Sequence, residues 1–281
     1  MYPLRVRVQQ KFVRPFLKNR LSTPFISRAF FRSLCDISLD PWPQKSRTWL
    51  QDLRQARVVF CKSSDLLFVL EELKKELSGK TLVAADADVD FFNHDLPLNS
   101  LKRLFLQNSF ISDGKRIKTL PIGVENLSIA INGLPWNLKP TKKERAGGVL
   151  IGPMSITHPV RKQLLLNIDE FHEEGFKVIR KTITPTKYAK LSSRFIAVAC
   201  PRGNGEDTHR LWESLYRESY PIVLRNLWSE GLESLKLPLL FVEDWSIKEL
   251  TRVRKSLPNE SFNAKSIPAL WSDYWQKQIQ S

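Results

Sequence analysis

Three cysteines in 281 residues, Cys35, Cys61 and Cys200, stand far apart with no close pair. That sparsity excludes a disulfide framework and a thiolate metal site, and it suits a reducing cytoplasm. No stretch approaches the roughly 20 uninterrupted apolar residues of a membrane-spanning helix; the longest apolar runs are of strand length. There is no internal repeat and no low-complexity tract. Helix-turn-helix, zinc-ligand and RNP-type patterns are also missing, so specific nucleic-acid recognition is not expected. The first 32 residues contain no acidic residue at all.

What that segment has instead is eight basic residues (Arg5, Arg7, Lys11, Arg14, Lys18, Arg20, Arg28 and Arg32) interleaved with Phe12, Phe16, Phe25, Phe30 and Phe31. Such a sequence seeks an anionic surface: acidic lipid headgroups, nucleic acid, or an import apparatus that reads Arg-rich leaders. A strap packed on the protein's own surface is the plainer alternative. The whole chain carries a formal charge of +15, with 42% hydrophobic and 26% charged residues, a globular composition. Its length suits two compact domains plus tails.

From Arg57 onward the pattern alternates strands and helices, which implies parallel sheets covered on both faces. Arg57 to Cys61 and Thr81 to Ala85 read as strands. Between them Ser63, Ser64 and Asp65 supply N-cap chemistry for a helix carrying Leu66, Leu67, Leu70, Leu73 and Leu77, stopped by Gly79. A helix is expected around Leu98 to Gln107, then an extended segment from Leu120 to Gly123. Asn132 to Gly148, rich in glycine, proline and charge, reads as an interdomain linker. A second α/β series follows: a strand Val149 to Ile151, a helix His158 to Glu174 ended by Gly175, a strand Phe176 to Ile179, and a buried strand Phe195 to Cys200. The expected division is a basic extension over 1–50, a first Rossmann-like domain over 51–140 and a second over 141–281. Trp271, Tyr274 and Trp275 fall in a terminal helix and read as packing residues.

The segment CPRGNGEDTHRLWESLYRESYPIV, starting at Cys200, is strand, glycine-containing loop, helix, strand. Its loop sits at the carboxyl end of a parallel strand, where open α/β sheets bind ligands. Gly203 and Gly205 admit close backbone approach and positive φ, and Asp207 or Thr208 is placed to cap the helix. First-turn N–H groups there suit a phosphate, with Arg202, His209 and Arg210 adding charge. Glu213, one turn further on, is placed to accept ribose hydroxyls.

The run PRGNGEDTHRLWESLY with PIV, then LPLLFVEDW at Leu237 to Trp245, resembles the C-terminal domain of exostosin-like glycosyltransferases of the two-Rossmann-domain (GT-B) class. LQNSF (Leu106 to Phe110) and LPIGVEN (Leu120 to Asn126) resemble the amino-terminal half of bacterial members. The resemblance implies an α/β GT-B fold and sugar transfer from a nucleotide donor, usually a UDP-sugar, to a glycan or lipid-linked glycan. Surface polysaccharide or lipopolysaccharide assembly at the cytoplasmic face of a membrane is the implied setting, without a tightly bound cofactor or metal. Arg202, Gly203, Asn204, Gly205, Thr208, His209 and Arg210 would surround the diphosphate, with Glu213 on the ribose. Arg161, at the start of the helix after Gly152, is a second cation for that duty. A general base is expected from the opposite domain, where Asp86, Asp88, Asp90 and Glu125 stand at strand ends; Asp88 and Glu125 are the candidates carried forward.

Two other functions fit parts of the sequence. Asp86-Ala-Asp88 after an apolar strand matches the DxD pattern by which single-domain (GT-A) transferases hold a divalent metal and a diphosphate. The basic surplus also suits a non-enzymatic binder of anionic surfaces, whether nucleic acid or lipid.

Overall fold

The computed structural model of the protein describes residues 24–41, 48–92, 96–98, 101–140, 145 and 147–281. Contact of residues 1–23 with an anionic surface lies outside the described residues. Among the described residues, no helix is long and apolar enough to cross a membrane.

Two five-stranded parallel sheets organise the chain. Strands β1 (Ile37–Ser38), β2 (Val58–Lys62), β3 (Thr81–Ala85), β4 (Arg103–Leu106) and β5 (Ile117–Thr119) lie side by side in chain order. Strands β6 (Val149–Ile151), β7 (Lys177–Val178), β8 (Ala197–Ala199), β9 (Tyr220–Leu224) and β10 (Leu240–Val242) are arranged β10-β9-β8-β6-β7. These are two Rossmann-like units, the α/β GT-B-like architecture expected, with the carboxyl ends of both sheets turned to one cleft.

Because successive strand residues face opposite sides, each sheet feeds two cores. In the first sheet Val59, Cys61, Leu82 and Leu104 pack outward with the helices Trp49–Gln55 and Leu66–Glu72. In the second, Val149, Ile151, Ala197 and Ile222 pack outward with the helices Pro159–Leu166 and Ile247–Lys255. Their alternates, Phe60, Val83 and Phe105 from one sheet and Leu150, Val198 and Val223 from the other, belong to a single shared core. The two units are therefore joined by apolar packing beneath the cleft.

Several local expectations are corrected. The segment Leu98 to Gln107 holds strand β4, not a helix: Leu104 and Leu106 enter the outer core and Phe105 the shared one. A strand buried on both faces loses its period-of-two signature, so its leucine-rich run mimics a helix. Leu67 is exposed while Val69 is buried, and Ser63 to Asp65 form a 3-10 turn without a side-chain cap on the helix that follows. Asn167 breaks the expected His158–Glu174 helix into Pro159–Leu166 and Ile168–Glu173.

Part of the presumed linker is packed. Pro135–Leu138 is a short helix with Asn137 and Leu138 buried, and Arg145 donates to the carbonyls of Phe195 and Arg217 and to Ser219. The supposed extension is likewise part of the first unit from Pro24 onward. Ile26, Phe30 and Phe31 are buried, the helix Arg28–Ser33 packs in the shared core, and β1 pairs with β2. Phe30 and Phe31 thus face protein, not a membrane.

The last helix, Ser272–Gln280, returns to the first sheet. Trp275 packs edge-on to Phe31 at 5.5 Å and to Phe105 at 6.5 Å, and Gln278 accepts from Arg103 and Lys118.

Candidate functional site

Strand order locates the site before any side chain is considered. In the second sheet the chain lays β7 on one side of β6, then crosses to place β8, β9 and β10 on the other. That reversal splays the loops after β6 and β8 apart, and ligands of open α/β sheets occupy such crevices. A cleft of about 420 Å³ opens there, floored by Pro153, Met154, Ser155 and Thr157 after β6 and by Gly203, Asn204 and Gly205 after β8. The first sheet runs in unbroken order and contributes the opposite wall: Arg28, Asp88, Ile122 and Glu125.

On the second-unit side stand two cations without a carboxylate partner among the described residues. Arg161 donates Nε to the carbonyl of Arg202 at 2.8 Å, Nη2 to that of Pro201 at 3.1 Å, and Nη1 to Ser155 and Thr157. It staples the two loops of the crevice together while keeping its charge. Arg210 donates Nη2 to the carbonyl of Pro153, and its buried Nη1 has no partner among the described residues. The phenol of Tyr188, also on the cleft and packed against Arg210 at 5.0 Å, is another buried group with no hydrogen-bond partner among the described residues. Burial and the neighbouring Arg210 pull the Arg161 pKa down to about 10. Burial, then Arg202 and Arg161, hold His158 below its ordinary value as well. The field here is positive.

The glycines serve this arrangement by being small; neither Gly203 nor Gly205 adopts the positive φ expected of them. A Cβ on Gly203 would lie 2.9 Å from Nη2 of Arg161, and one on Gly205 would lie 2.6 Å from the amide nitrogen of Asn108. Thr208 precedes the helix His209–Tyr216 without capping it through its hydroxyl. Asp207 does not cap it either. Its carboxylate accepts from the backbone N–H of Ile122 at 2.8 Å and from Nε1 of Trp212 at 2.8 Å. Burial outweighs those donors and raises Asp207 to about 7.

The opposite wall is charge-compensated. Arg28 pairs with Asp86 at 3.0 Å and with Glu125 at 3.3 Å. His209 reaches across the cleft, its Nε2 3.3 Å from Glu125 and its Nδ1 2.8 Å from the carbonyl of Gly123. Both partners are acceptors, so the ring serves both only as an imidazolium, and its pKa is raised: bonding to Glu125 outweighs the burial that opposes it. Glu125 goes the other way, to about 2, because His209, Arg28 and the Asn126 N–H outweigh its burial. A carboxylate so committed is a counter-ion and a poor base.

Arg202 is not on the cleft lining. Asp90 holds its guanidinium at 2.6 Å and Glu206 at 3.1 Å. Asp88 does line the cleft, where its described contact is the Asn204 amide at 3.4 Å. The three aspartates of the DxD-like run are therefore divided among Arg28, Asn204 and Arg202. Arg161, Gly203, Asn204, Gly205, Thr208, His209, Arg210 and Glu213 gather on one cleft with Asp88 and Glu125 facing them.

Sequence reasoning missed Arg28, Tyr188 and Asp207 as cleft residues. It also missed the role of LQNSF: Asn108, at φ 52° and fully buried, accepts the Asp207 N–H at 2.8 Å and so bridges the units. An asparagine among apolar residues was the available signal, since asparagine tolerates the left-handed region.

No protein-family model matches the chain, and no curated protein sequence matches it. Among solved structures, UDP-GlcNAc 2-epimerase from Methanocaldococcus jannaschii is similar, with 12% sequence identity and a TM-score of 0.40, over 82% of this chain and 79% of that chain.

Proposed function

We propose that the cleft binds a nucleoside-diphosphate sugar, in the first instance a UDP-sugar, and that the protein is a glycosyltransferase acting on a glycan or lipid-linked glycan. The observation that carries this is the pair Arg161 and Arg210, two cationic groups with no carboxylate partner among the described residues, at the crevice of the second sheet. A diphosphate supplies the charge they lack. The adjoining helix offers first-turn N–H groups to the same anion.

In this scheme donor binding falls to the second unit, built on β6 to β10, and acceptor binding to the first, built on β1 to β5. Departure of the nucleoside diphosphate leaves negative charge, which Arg210, the helix N-terminus and the field of Arg161 stabilise. Asp88 takes the proton of the acceptor hydroxyl, because Glu125 is held by His209 and Arg28. The exostosin-like motifs support transfer as the reaction, and the basic residues from Arg5 to Arg20 suit an acceptor at an anionic membrane face.

The test is a binding and turnover screen against UDP-, GDP-, ADP- and CMP-sugars with mixed glycan acceptors, run with EDTA and with manganese. Selective binding of one donor that survives EDTA and disappears in Arg210→Ala is the expected result. A requirement for manganese together with loss on Asp86→Asn would transfer the proposal to the metal-dependent class. No binding of any donor would end it.

A further inference from the structure

Arg210 and Glu213 on the helix His209–Tyr216 and its C-cap residue Arg217 stand at positions i, i+3 and i+7, along a single stripe. Arg210 and Glu213 line the cleft, whereas Arg217 lies behind them, 1% exposed. Burying an arginine is costly unless its donors are engaged, and here the acceptors come from three separate segments. Nε donates to the carbonyl of Asn137 at 2.8 Å, Nη1 to Oγ of Ser192 at 3.2 Å, and Nη2 to Oε2 of Glu213 at 3.2 Å. The guanidinium also packs on the Tyr188 ring at 5.2 Å, the ring that Arg210 meets at 5.0 Å.

The pair is asymmetric. Its acid faces the cleft and its base faces the interior, with Arg217 holding Oε2 while no described residue bonds Oε1. An ionised carboxylate with one oxygen anchored and the other free is a fixed hydrogen-bond acceptor. Resting on the nucleotide-sugar proposal above, we infer that Arg217 is a positioning residue that sets discrimination for the ribose diol: it fixes Glu213 so that the carboxylate meets the 2′ and 3′ hydroxyls. Tyr188, held between the same two arginines, keeps the diol acceptor in register with the diphosphate contact of Arg210.

The experiment measures calorimetric affinities of UDP, 2′,3′-dideoxy-UDP and inorganic pyrophosphate for the full chain and for Glu213→Gln, Arg217→Lys, Ser192→Ala and the Glu213→Gln/Arg217→Lys double variant. The wild type should prefer UDP to the dideoxy analogue by about tenfold or more, the worth of hydrogen bonds to a charged group. Lysine lacks the planar fork, so Arg217→Lys should cut that preference to about threefold or less and leave pyrophosphate affinity unchanged. The double variant should lose no more than either single one, because the two residues act as a unit. Ser192→Ala removes only one anchor of Arg217 and should lower the preference partway, a readout that remains if Arg217→Lys does not fold.

Full preference in Arg217→Lys, or in Ser192→Ala where the lysine variant is unfolded, would overturn the inference. So would pyrophosphate binding without diol discrimination in the wild type, although the anion site would then stand. Absence of both pyrophosphate and UDP binding would remove the nucleotide proposal and this inference together.

Discussion

Arg28 and Arg210 bring guanidinium groups to the same cleft from opposite units, and each keeps one buried N–H without a partner among the described residues, Nε in Arg28 and Nη1 in Arg210. Hydrogen-bond count does not separate them; charge does. Arg28 is enclosed by Asp86 and Glu125, and with His209 these make a neutral set of two cations and two anions. Among the described residues Arg210 and Arg161 meet carbonyls, hydroxyls and the Tyr188 ring but no carboxylate. A charge that its neighbours neutralise holds the two units together, whereas a charge left over is available to a ligand.

The largest expected departure from this division concerns Asp88, the carboxylate on the compensated wall with an amide rather than a cation beside it. Asp88→Asn should lower sugar transfer by roughly 10²- to 10⁴-fold, the usual worth of a general base, with donor affinity unchanged by calorimetry. Equal loss of binding and turnover would return Asp88 to the structural set.

Exchanging the two arginines tests the contrast directly. Arg210→Ala should weaken pyrophosphate or UDP binding by about 100-fold, the scale of lost charge-assisted contacts, with little change in melting temperature. Arg28→Ala should do the reverse, costing about 2–3 kcal/mol of stability by stranding Asp86 and leaving Glu125 to His209 alone, with anion affinity nearly intact. Calorimetry and thermal melts on both variants decide it; the opposite assignment of effects would break the comparison.

Gly203→Ala should weaken the same anions by about tenfold, since its methyl displaces Nη2 of Arg161 from the crevice. Titration of the variant with pyrophosphate reads this effect.

The smallest effect is on pH dependence. Glu125, depressed to about 2, contributes stability above its ordinary value near 4.5 that is lost as pH falls toward 2. His209 is raised, so its contribution is complete below 6.5 and lost as pH rises through its folded value. The pair is therefore strongest between about 4.5 and 6.5. Melts across pH should show the difference between wild type and Glu125→Gln peaking in that window and shrinking on both sides; a difference that is flat with pH would mean the pair adds no charge stabilisation.

The second unit was far more legible in the sequence than the first. Val149 to Ile151 and the loop from Cys200 announce themselves through short buried strands, glycines and a helix with apolar residues on one face. Arg202 shows the limit, because its carboxylate partner Asp90 is more than a hundred residues away and no local pattern joins them. Arg28 was hidden for a similar reason: it sits in a basic stretch that reads as a tail, and only the burial of Ile26 and Phe31 brings it to the cleft. Strand β4 failed on periodicity. The function of the glycines failed on geometry, since Gly203 makes room for an arginine 42 positions earlier in the chain.

The return of the terminal helix to the first sheet gives the cleft a mechanical character. The chain leaves the first unit after Leu138 and comes back to it at Ser272–Gln280, so two covalent crossings join the units. A single tether permits swivel about any axis. Two tethers leave one easy rotation, about the line through both, and resist twist and sliding.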